Sequence, residues 1–193
     1  MKKVGLYFGT FNPIHNGHIA LGNYFIKYTD LDEIQFVVSP QNPFKKDQEI
    51  LAEQHRLEMV RLALEKIPHF NYSDVEFSLP KPSYTIDTLK QLKKKGPEVS
   101  FVVLMGEDNL AYFDQWKEYK SILELVDLYV YPREHQNTIP KSLLNHPKIQ
   151  LVPAPKLDFA SQNIRKILHE GGAIKSMIPA SIVDYLEENK FYQ

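Results

Sequence analysis

The chain contains no cysteine and carries almost no net charge. Its 193 residues include 23 Lys and Arg against 24 Asp and Glu, a formal net charge of −1. The absence of cysteine excludes disulfides and thiolate metal sites, and it is compatible with a reducing cytoplasm. The near-neutral charge provides no overall attraction to nucleic acid or to an anionic membrane, so a small-molecule partner is favoured over a polymer.

Long hydrophobic runs are also missing. No stretch reaches about eighteen successive apolar residues, and the apolar run after Lys3 is too short for a signal peptide. These features predict a cytoplasmic protein without a membrane-spanning segment. The length fits one domain, which buries about 70% of its unfolded surface. We expect a single domain over residues 1–193, with the last helices, near residues 161–189, packed on it.

Apolar patterns alternate between short buried strands and amphipathic helices along the chain. Strands are predicted at residues 4–8, 33–39, 70–75, 98–105, 128–131 and 149–152. Helices are predicted at residues 17–27, 50–66, 85–95, 115–125, 161–170 and 179–189. The alternation implies right-handed crossovers and an α/β fold with a doubly wound, mostly parallel sheet covered by helices on both faces. Ligands on such sheets bind at the carboxyl ends of the strands, beside the topological switch point.

The segment between the first strand and the first helix has the composition of a phosphate site. Residues 8–18 read FGTFNPIHNGH, a glycine turn followed by His15 and His18 at a helix start. Unpaired backbone N–H groups and the helix dipole favour phosphate oxygens there. Gly17 lets the backbone approach a phosphate, and the imidazoles add N–H donors. The alternative is a structural corner with two surface histidines.

A basic loop follows the second predicted strand. Residues 39–47 read SPQNPFKKD and carry Lys45 and Lys46. Cations in a loop that folds over a triphosphate would neutralise the charge that develops during phosphoryl transfer. An ordinary basic surface loop is an equal alternative on the sequence alone.

Two further segments place polar or aromatic side chains at the ends of predicted elements. Tyr84 and Thr85 stand at the start of a helix, where backbone N–H groups can bind a carboxylate or a phosphate. Asp108 follows the 98–105 strand, and Trp116 comes eight residues later. A carboxylate there can accept hydrogen bonds from ribose hydroxyls, and an indole can stack on a flat ring. Each of these residues also fits a purely structural role.

At His15 to His18 the chain resembles the nucleotidyltransferase superfamily that is marked by an [HT]-x-G-H signature. Over its length it is similar to the nicotinate-nucleotide adenylyltransferase family of NAD biosynthesis. The matching segments follow the family's order: Gly9 to His18, Asn42 and Pro43 with Lys45, Arg56 with Met59, Pro82 to Thr85, Gly106 with Asp108, Trp116, Tyr131 to Arg133, and Ile164 with Arg165. The resemblance implies a Rossmann-like fold and transfer of AMP from ATP to nicotinic acid mononucleotide, with release of pyrophosphate.

The resemblance also implies roles for individual residues. The residues expected to act on the triphosphate are His15, His18, Lys45 and Arg165. The residues expected to bind ATP are Gly9, Thr10, Phe11, Gly17, Ser161 and Ile164. The residues expected to bind the mononucleotide are Tyr84, Thr85, Gly106, Asp108, Trp116 and Arg133. In that pocket the Tyr84–Thr85 backbone is expected to meet the nicotinate carboxylate, and Trp116 to pack on its ring.

Two positions depart from the family's pattern. The family usually has histidine directly before the loop lysine, where this chain has Phe44. The family's Ser-Ser-Thr-x-Ile-Arg run is ASQNIR here, at residues 160–165, so two hydroxyl donors are lost. We expect Ser161 to cap the helix, the Gln162 amide to substitute, and Arg165 still to reach a phosphate. ATP binding is expected to survive because backbone N–H groups do not depend on side-chain identity.

The expected chemistry is in-line attack by the 5′-phosphate of the mononucleotide on the α-phosphorus of ATP. The nucleophile is already anionic, so positioning and charge stabilisation suffice without a strong base. The sequence has no clustered carboxylates dedicated to a metal, so Mg²⁺ is expected to arrive with ATP. The expected partners are ATP and nicotinic acid mononucleotide, and a homo-oligomer is compatible with the sequence.

Other functions stay open at this point. The acceptor could be nicotinamide mononucleotide or phosphopantetheine, or the reaction could use CTP. The departures at Phe44, Ala160 and Gln162 would suit a catalytically weakened nucleotide-binding regulator. Some tRNA synthetases carry a similar signature, although the length and charge of this chain count against a tRNA-related module. The remaining histidines show no metal-ligand spacing: His55, His69, His135, His146 and His169.

Overall fold

The computed structural model describes residues 1–40 and 50–192. Within these residues, six strands form one parallel sheet in the order β3-β2-β1-β4-β5-β6. The strands are β1 (Lys3–Gly9), β2 (Glu33–Val38), β3 (Phe70–Ser73), β4 (Ser100–Gly106), β5 (Asp127–Tyr131) and β6 (Ile149–Leu151). The winding direction reverses between β1 and β4, which makes this pair the topological switch point. The predicted doubly wound α/β fold is confirmed.

Helices connect the strands and follow the last of them. The α-helices of the described residues are α1 (Asn16–Tyr28), α2 (Glu53–Leu64), α3 (Thr85–Lys95), α4 (Glu107–Leu110), α5 (Tyr119–Leu125), α6 (Lys141–Leu144), α7 (Ser161–His169) and α8 (Val183–Glu188). Short 3-10 turns cover Val75–Ser78, Phe113–Gln115 and Ala180–Ile182. The predicted helix at residues 115–125 therefore begins later than expected, after a 3-10 turn. The four-residue helices α4 and α6 were not predicted, because one turn is too short to show a helical period.

The sheet lies between two apolar layers. On one face, Tyr7 and Phe36 of the central strands pack in a core cluster with α1 and α2. On the other face, Leu6 and Val103 pack with the buried residues of α3 and α5. Both clusters come from the strict alternation of side chains along buried strands.

The C-terminal segments pack on the α1–α2 face. Ile164 of α7, Ile182 of the 3-10 turn and Leu186 of α8 are fully buried in the same cluster as Phe25 of α1. This packing brings the start of α7 next to the turn that follows β1. That contact completes one wall of the site described below.

Candidate active site

A cleft of about 470 Å³ opens at the carboxyl ends of β1 and β4. This is the switch point where ligands bind on doubly wound sheets, and the volume suits a small-molecule site. Predicted residues that line the cleft are Gly9, Thr10, Phe11, His15, Gly17, His18, Tyr84, Thr85, Gly106, Asp108, Trp116, Arg133, Ser161 and Arg165. Lys45 lies outside the described residues, as do Phe44 and Lys46. The fold thus gathers segments that are far apart in the sequence.

His15 and His18 form a stacked pair at the start of α1. Their ring centroids are 3.6 Å apart and their planes differ by 18°. His15 is the N-cap of α1, and its Nδ1 accepts the backbone N–H of His18 at 3.3 Å. Conversely, Nδ1 of His18 accepts the backbone N–H of His15 at 3.2 Å. Each imidazole therefore carries its hydrogen on Nε2 when neutral, which makes Nε2–H the donor available to a ligand.

Burial keeps these imidazoles neutral. Desolvation and the nearby positive charge of Arg133 lower the pKa of His15 to about 4. Desolvation lowers the pKa of His18 well below its ordinary value, and repulsion of its protonated form by Arg133, and by His15 when that ring is protonated, lowers it further. Two neutral donors with fixed tautomers are suited to hydrogen-bond phosphate oxygens without a proton transfer.

The glycines of the turn make room for aromatic rings of the protein itself. A Cβ at Gly9 would lie 2.8 Å from the Phe11 ring, and a Cβ at Gly17 would lie 2.7 Å from Cβ of Phe159. Phe11 has a left-handed backbone (φ 46°) and is 2% exposed. Gly17 therefore has a packing role, and the close approach of its backbone to a phosphate stays a prediction. Phe11 has little side-chain surface to offer a ligand.

The start of α7 is tied to the same turn. Ser161 Oγ donates to the carbonyl of Pro13 at 2.9 Å, and Arg165 Nη1 donates to the carbonyl of Asn12 at 2.7 Å. The prediction that Ser161 caps α7 is wrong, because Ala160 is the N-cap and no described side chain caps this helix. The hydroxyl instead joins α7 to the turn. Ile164 has its side chain fully buried in the core and does not line the cleft.

An uncapped helix start also lies on the opposite wall of the cleft. Tyr84 is the N-cap of α3, and among the described residues no side chain caps that helix. The N–H of Asp87 donates to the carbonyl of Tyr84 at 3.0 Å, and the N–H groups of Thr85 and Ile86 at the helix start keep the capacity to bind an anion. Lys117 lies over the Tyr84 ring, 4.8 Å from its centroid, and pairs with Asp87 at 2.8 Å.

Residues that follow β4 and β5 also line the cleft. Asp108 and Arg133 form an ion pair at 3.6 Å, and both line the cleft. Gly106 lets these side chains approach β4, since a Cβ there would meet Arg133 Cδ at 3.0 Å. Trp116 is half-buried against Phe113, with ring centroids 5.4 Å apart, and it lines the cleft with its remaining surface. Trp116 therefore packs on Phe113 and also faces the cleft, and its contact with the pyridine ring stays a prediction.

Sequence reasoning missed the roles of two buried charged residues. Arg56 is 1% exposed and donates to the carbonyls of Thr10, Ser39, Pro40 and Leu51 at 2.6 to 2.9 Å. It joins the ends of β1 and β2. Glu76 is 3% exposed and lies in the cleft wall. In the sequence, Arg56 stands out only as part of a segment that matches the family, and nothing in the residues around Glu76 distinguishes it from a surface acid.

Residues 1–40 and 50–192 contain no group of three or more His, Cys, Asp or Glu side chains placed to hold a metal ion. None of their helices has the length and apolar character needed to cross a membrane.

The fold and the histidine turn at its switch point define a nucleotidyltransferase. In agreement, the profile of the Cytidylyltransferase-like family matches residues 6–170. A protein of Flavobacterium johnsoniae named "Probable nicotinate-nucleotide adenylyltransferase" is 45% identical over 99% of both chains. A protein of Cytophaga hutchinsonii with the same name is 45% identical over 98% of both chains. The chain belongs to the nicotinate-nucleotide adenylyltransferase family.

Solved structures support the fold. The Plasmodium falciparum nicotinic acid mononucleotide adenylyltransferase complexed with NaAD matches with a TM-score of 0.82 and 24% identity, over 100% of this chain and 98% of that one. The same enzyme complexed with APC matches with a TM-score of 0.80 and 23% identity, over the same shares of the two chains.

Proposed function

We propose that this protein transfers the AMP group of ATP to nicotinic acid mononucleotide, producing nicotinic acid adenine dinucleotide and pyrophosphate. The observation that carries the proposal is the pair of neutral imidazoles at the switch point, with an uncapped helix start on each side of the cleft. The family relationship and the names of the two relatives point to the same reaction.

The triphosphate would lie at the end of the cleft formed by α1 and α7. There the Nε2–H groups of His15 and His18 face charge that develops during transfer, and Arg165 adds a guanidinium. Ser161 holds the start of α7 against the turn, where its backbone N–H groups favour an anion. Lys45 is proposed as a further cation for the outer phosphates. Mg²⁺ belongs to the substrate, as Mg·ATP.

The mononucleotide would lie at the end of the cleft near α3. The backbone at Tyr84 and Thr85 offers N–H groups to the pyridine carboxylate, and Trp116 offers its indole face to the ring. Asp108 is proposed to accept hydrogen bonds from a nucleoside hydroxyl. Arg133 provides positive charge near the 5′-phosphate.

The step itself needs little from the protein beyond position and charge. An oxygen of the mononucleotide phosphate forms a bond to the α-phosphorus as the bond from that phosphorus to the β-bridging oxygen breaks. The bonding electron pair leaves with pyrophosphate. Because the imidazoles are neutral, they stabilise the equatorial oxygens by hydrogen bonding and keep their protons.

A substrate panel tests the proposal. The protein is incubated with Mg·ATP and, separately, nicotinic acid mononucleotide, nicotinamide mononucleotide or phosphopantetheine, and pyrophosphate and adenylated product are measured. We expect the highest kcat/KM with nicotinic acid mononucleotide. A higher value with another acceptor would reassign the substrate. ATP binding without pyrophosphate from any acceptor would point to the nucleotide-binding regulator instead.

The cytoplasmic location and the self-association of this protein stay predictions. Cytoplasmic location is tested by fractionation, and self-association by sedimentation of the purified protein. Neither affects the reaction proposed above.

A further inference from the structure

A buried carboxylate contacts the chain on both sides of the start of α3. Glu76 lies in the 3-10 turn Val75–Ser78. Its Oε2 accepts a hydrogen bond from Ser83 Oγ at 2.8 Å, and its Oε1 accepts one from Thr88 Oγ1 at 2.8 Å. The three side chains are 3%, 6% and 0% exposed. Both carboxylate oxygens are thus occupied by hydroxyls inside the wall of the cleft.

The two hydroxyls lie on either side of the N-cap of α3. Ser83 directly precedes the N-cap Tyr84, and Thr88 is the fourth residue of α3. In many helices apolar side chains at these positions contact each other and set the angle at which the chain enters the helix. Here a carboxylate from another segment connects them. The connection leaves the first-turn N–H groups without a side-chain cap.

Burying the Glu76 carboxylate is unfavourable for folding, so a role in packing alone does not explain this residue. A buried carboxylate is destabilising unless it is paired or well hydrogen-bonded. Among the described residues Glu76 forms no ion pair, and its stabilisation comes from two hydroxyls and the positive end of α3. A smaller apolar residue would fill the turn at lower cost, but it would not hold Ser83 and Thr88 together.

We propose that Glu76 is a positioning residue for the mononucleotide. It fixes the start of α3 so that its N–H groups meet the pyridine carboxylate, and it thereby contributes to the preference for the acid over the amide mononucleotide. The inference rests on the proposed function. Charge-assisted hydrogen bonds lose strength when their geometry is disturbed, so the acid substrate suffers more than the amide.

Steady-state kinetics of E76A, S83A and T88V test the inference. We expect each variant to raise KM for nicotinic acid mononucleotide, by about tenfold for E76A and less for the single hydroxyl deletions. KM for ATP is expected to stay within about twofold, because the ATP end of the cleft is built by other elements. The ratio of kcat/KM for the acid to that for the amide mononucleotide is expected to fall. S83A and T88V keep the test usable if E76A does not fold.

T29V is the matched control. The Thr29 hydroxyl donates to the carbonyl of Phe25 at the end of α1, and Thr29 does not line the cleft. We expect T29V to leave KM for nicotinic acid mononucleotide and KM for ATP unchanged. Melting temperatures are recorded for all variants. If KM for nicotinic acid mononucleotide and KM for ATP rise equally in E76A and T88V, Glu76 has only a structural role and the inference is overturned. Unchanged KM values would overturn it as well. A wild-type protein that makes no dinucleotide would instead refute the proposed function, and the inference with it.

Discussion

The His15 and His18 side chains each accept a hydrogen bond from the other's backbone N–H, at 3.3 and 3.2 Å. This reciprocal pair has the geometry of a capping box, with imidazoles in place of the usual hydroxyl and carboxyl groups. The same two residues therefore start α1 and present Nε2–H donors to the cleft. Stability and activity are coupled at this turn, and suitable substitutions can separate them.

Substitutions of His18 make the first prediction. H18Q keeps an acceptor for the backbone N–H of His15, so we expect the free energy of unfolding to change little. We expect H18A to lose about 1 kcal/mol of that free energy. Both variants lack the imidazole, and turnover is expected to fall about 100-fold or more in each. Urea unfolding and pyrophosphate release check the two effects, and near-normal turnover in either variant would remove His18 from the catalytic residues.

The second prediction concerns stability at acidic pH. The pKa of His15 is lowered to about 4 in the folded protein, whereas the unfolded chain binds the proton near pH 6.5. The unfolded state is therefore favoured progressively as pH falls from about 6.5 to 4. His15 contributes a slope of up to about 1.4 kcal/mol per pH unit to the free energy of unfolding.

The control for this pH effect is H15N. Asparagine is a good N-cap and does not titrate, so the variant should lose less stability between pH 6.5 and 4. Urea unfolding of both proteins across that range provides the comparison. Equal losses would contradict the assignment of the effect to His15.

Tyr192 carries the third prediction. Its hydroxyl donates to Asn12 Oδ1 at 2.6 Å, while Arg165 donates to the carbonyl of the same asparagine. Y192F removes one hydrogen bond to the turn beside which the triphosphate is proposed to lie. We therefore expect KM for ATP to rise about fivefold, which corresponds to the energy of one hydrogen bond, and KM for the mononucleotide to stay unchanged. Y185F is the control, because that hydroxyl contacts His55 at 2.8 Å and not the turn. An equal effect of both variants on ATP would count against a role for Tyr192.

Arg56 carries the fourth prediction. R56M leaves the carbonyls of Thr10, Ser39, Pro40 and Leu51 without their guanidinium donor, and we expect a loss of about 3 kcal/mol or more in the free energy of unfolding. R61M removes an exposed arginine of the same helix, and a change below about 1 kcal/mol is expected. Thermal and urea unfolding of the two variants measure the difference. Similar losses would show that burial of Arg56 is energetically unimportant.

Strands and helices with a regular spacing of apolar residues were predicted closely, whereas contacts between distant segments were not. The alternation in β1 and the repeat in α3 are local properties, and α3 begins at Thr85 and ends at Lys95 as expected. Ser161 was expected to cap α7 because serine commonly does so, but its hydroxyl contacts Pro13. That choice depends on the docking of α7 against the turn, which no local pattern reports.

Local patterns of apolar residues were enough to predict the order of strands and helices, the class of sheet, and the edge of the sheet at which ligands bind. The sequence also identified the histidine turn, because a glycine turn before a helix start is a local feature. The roles of the buried charged residues depend on contacts that form only when distant segments pack together. Glu76 spans the start of α3 and Arg56 joins the ends of two strands, since a buried charge is stable only where folding supplies its hydrogen-bond partners.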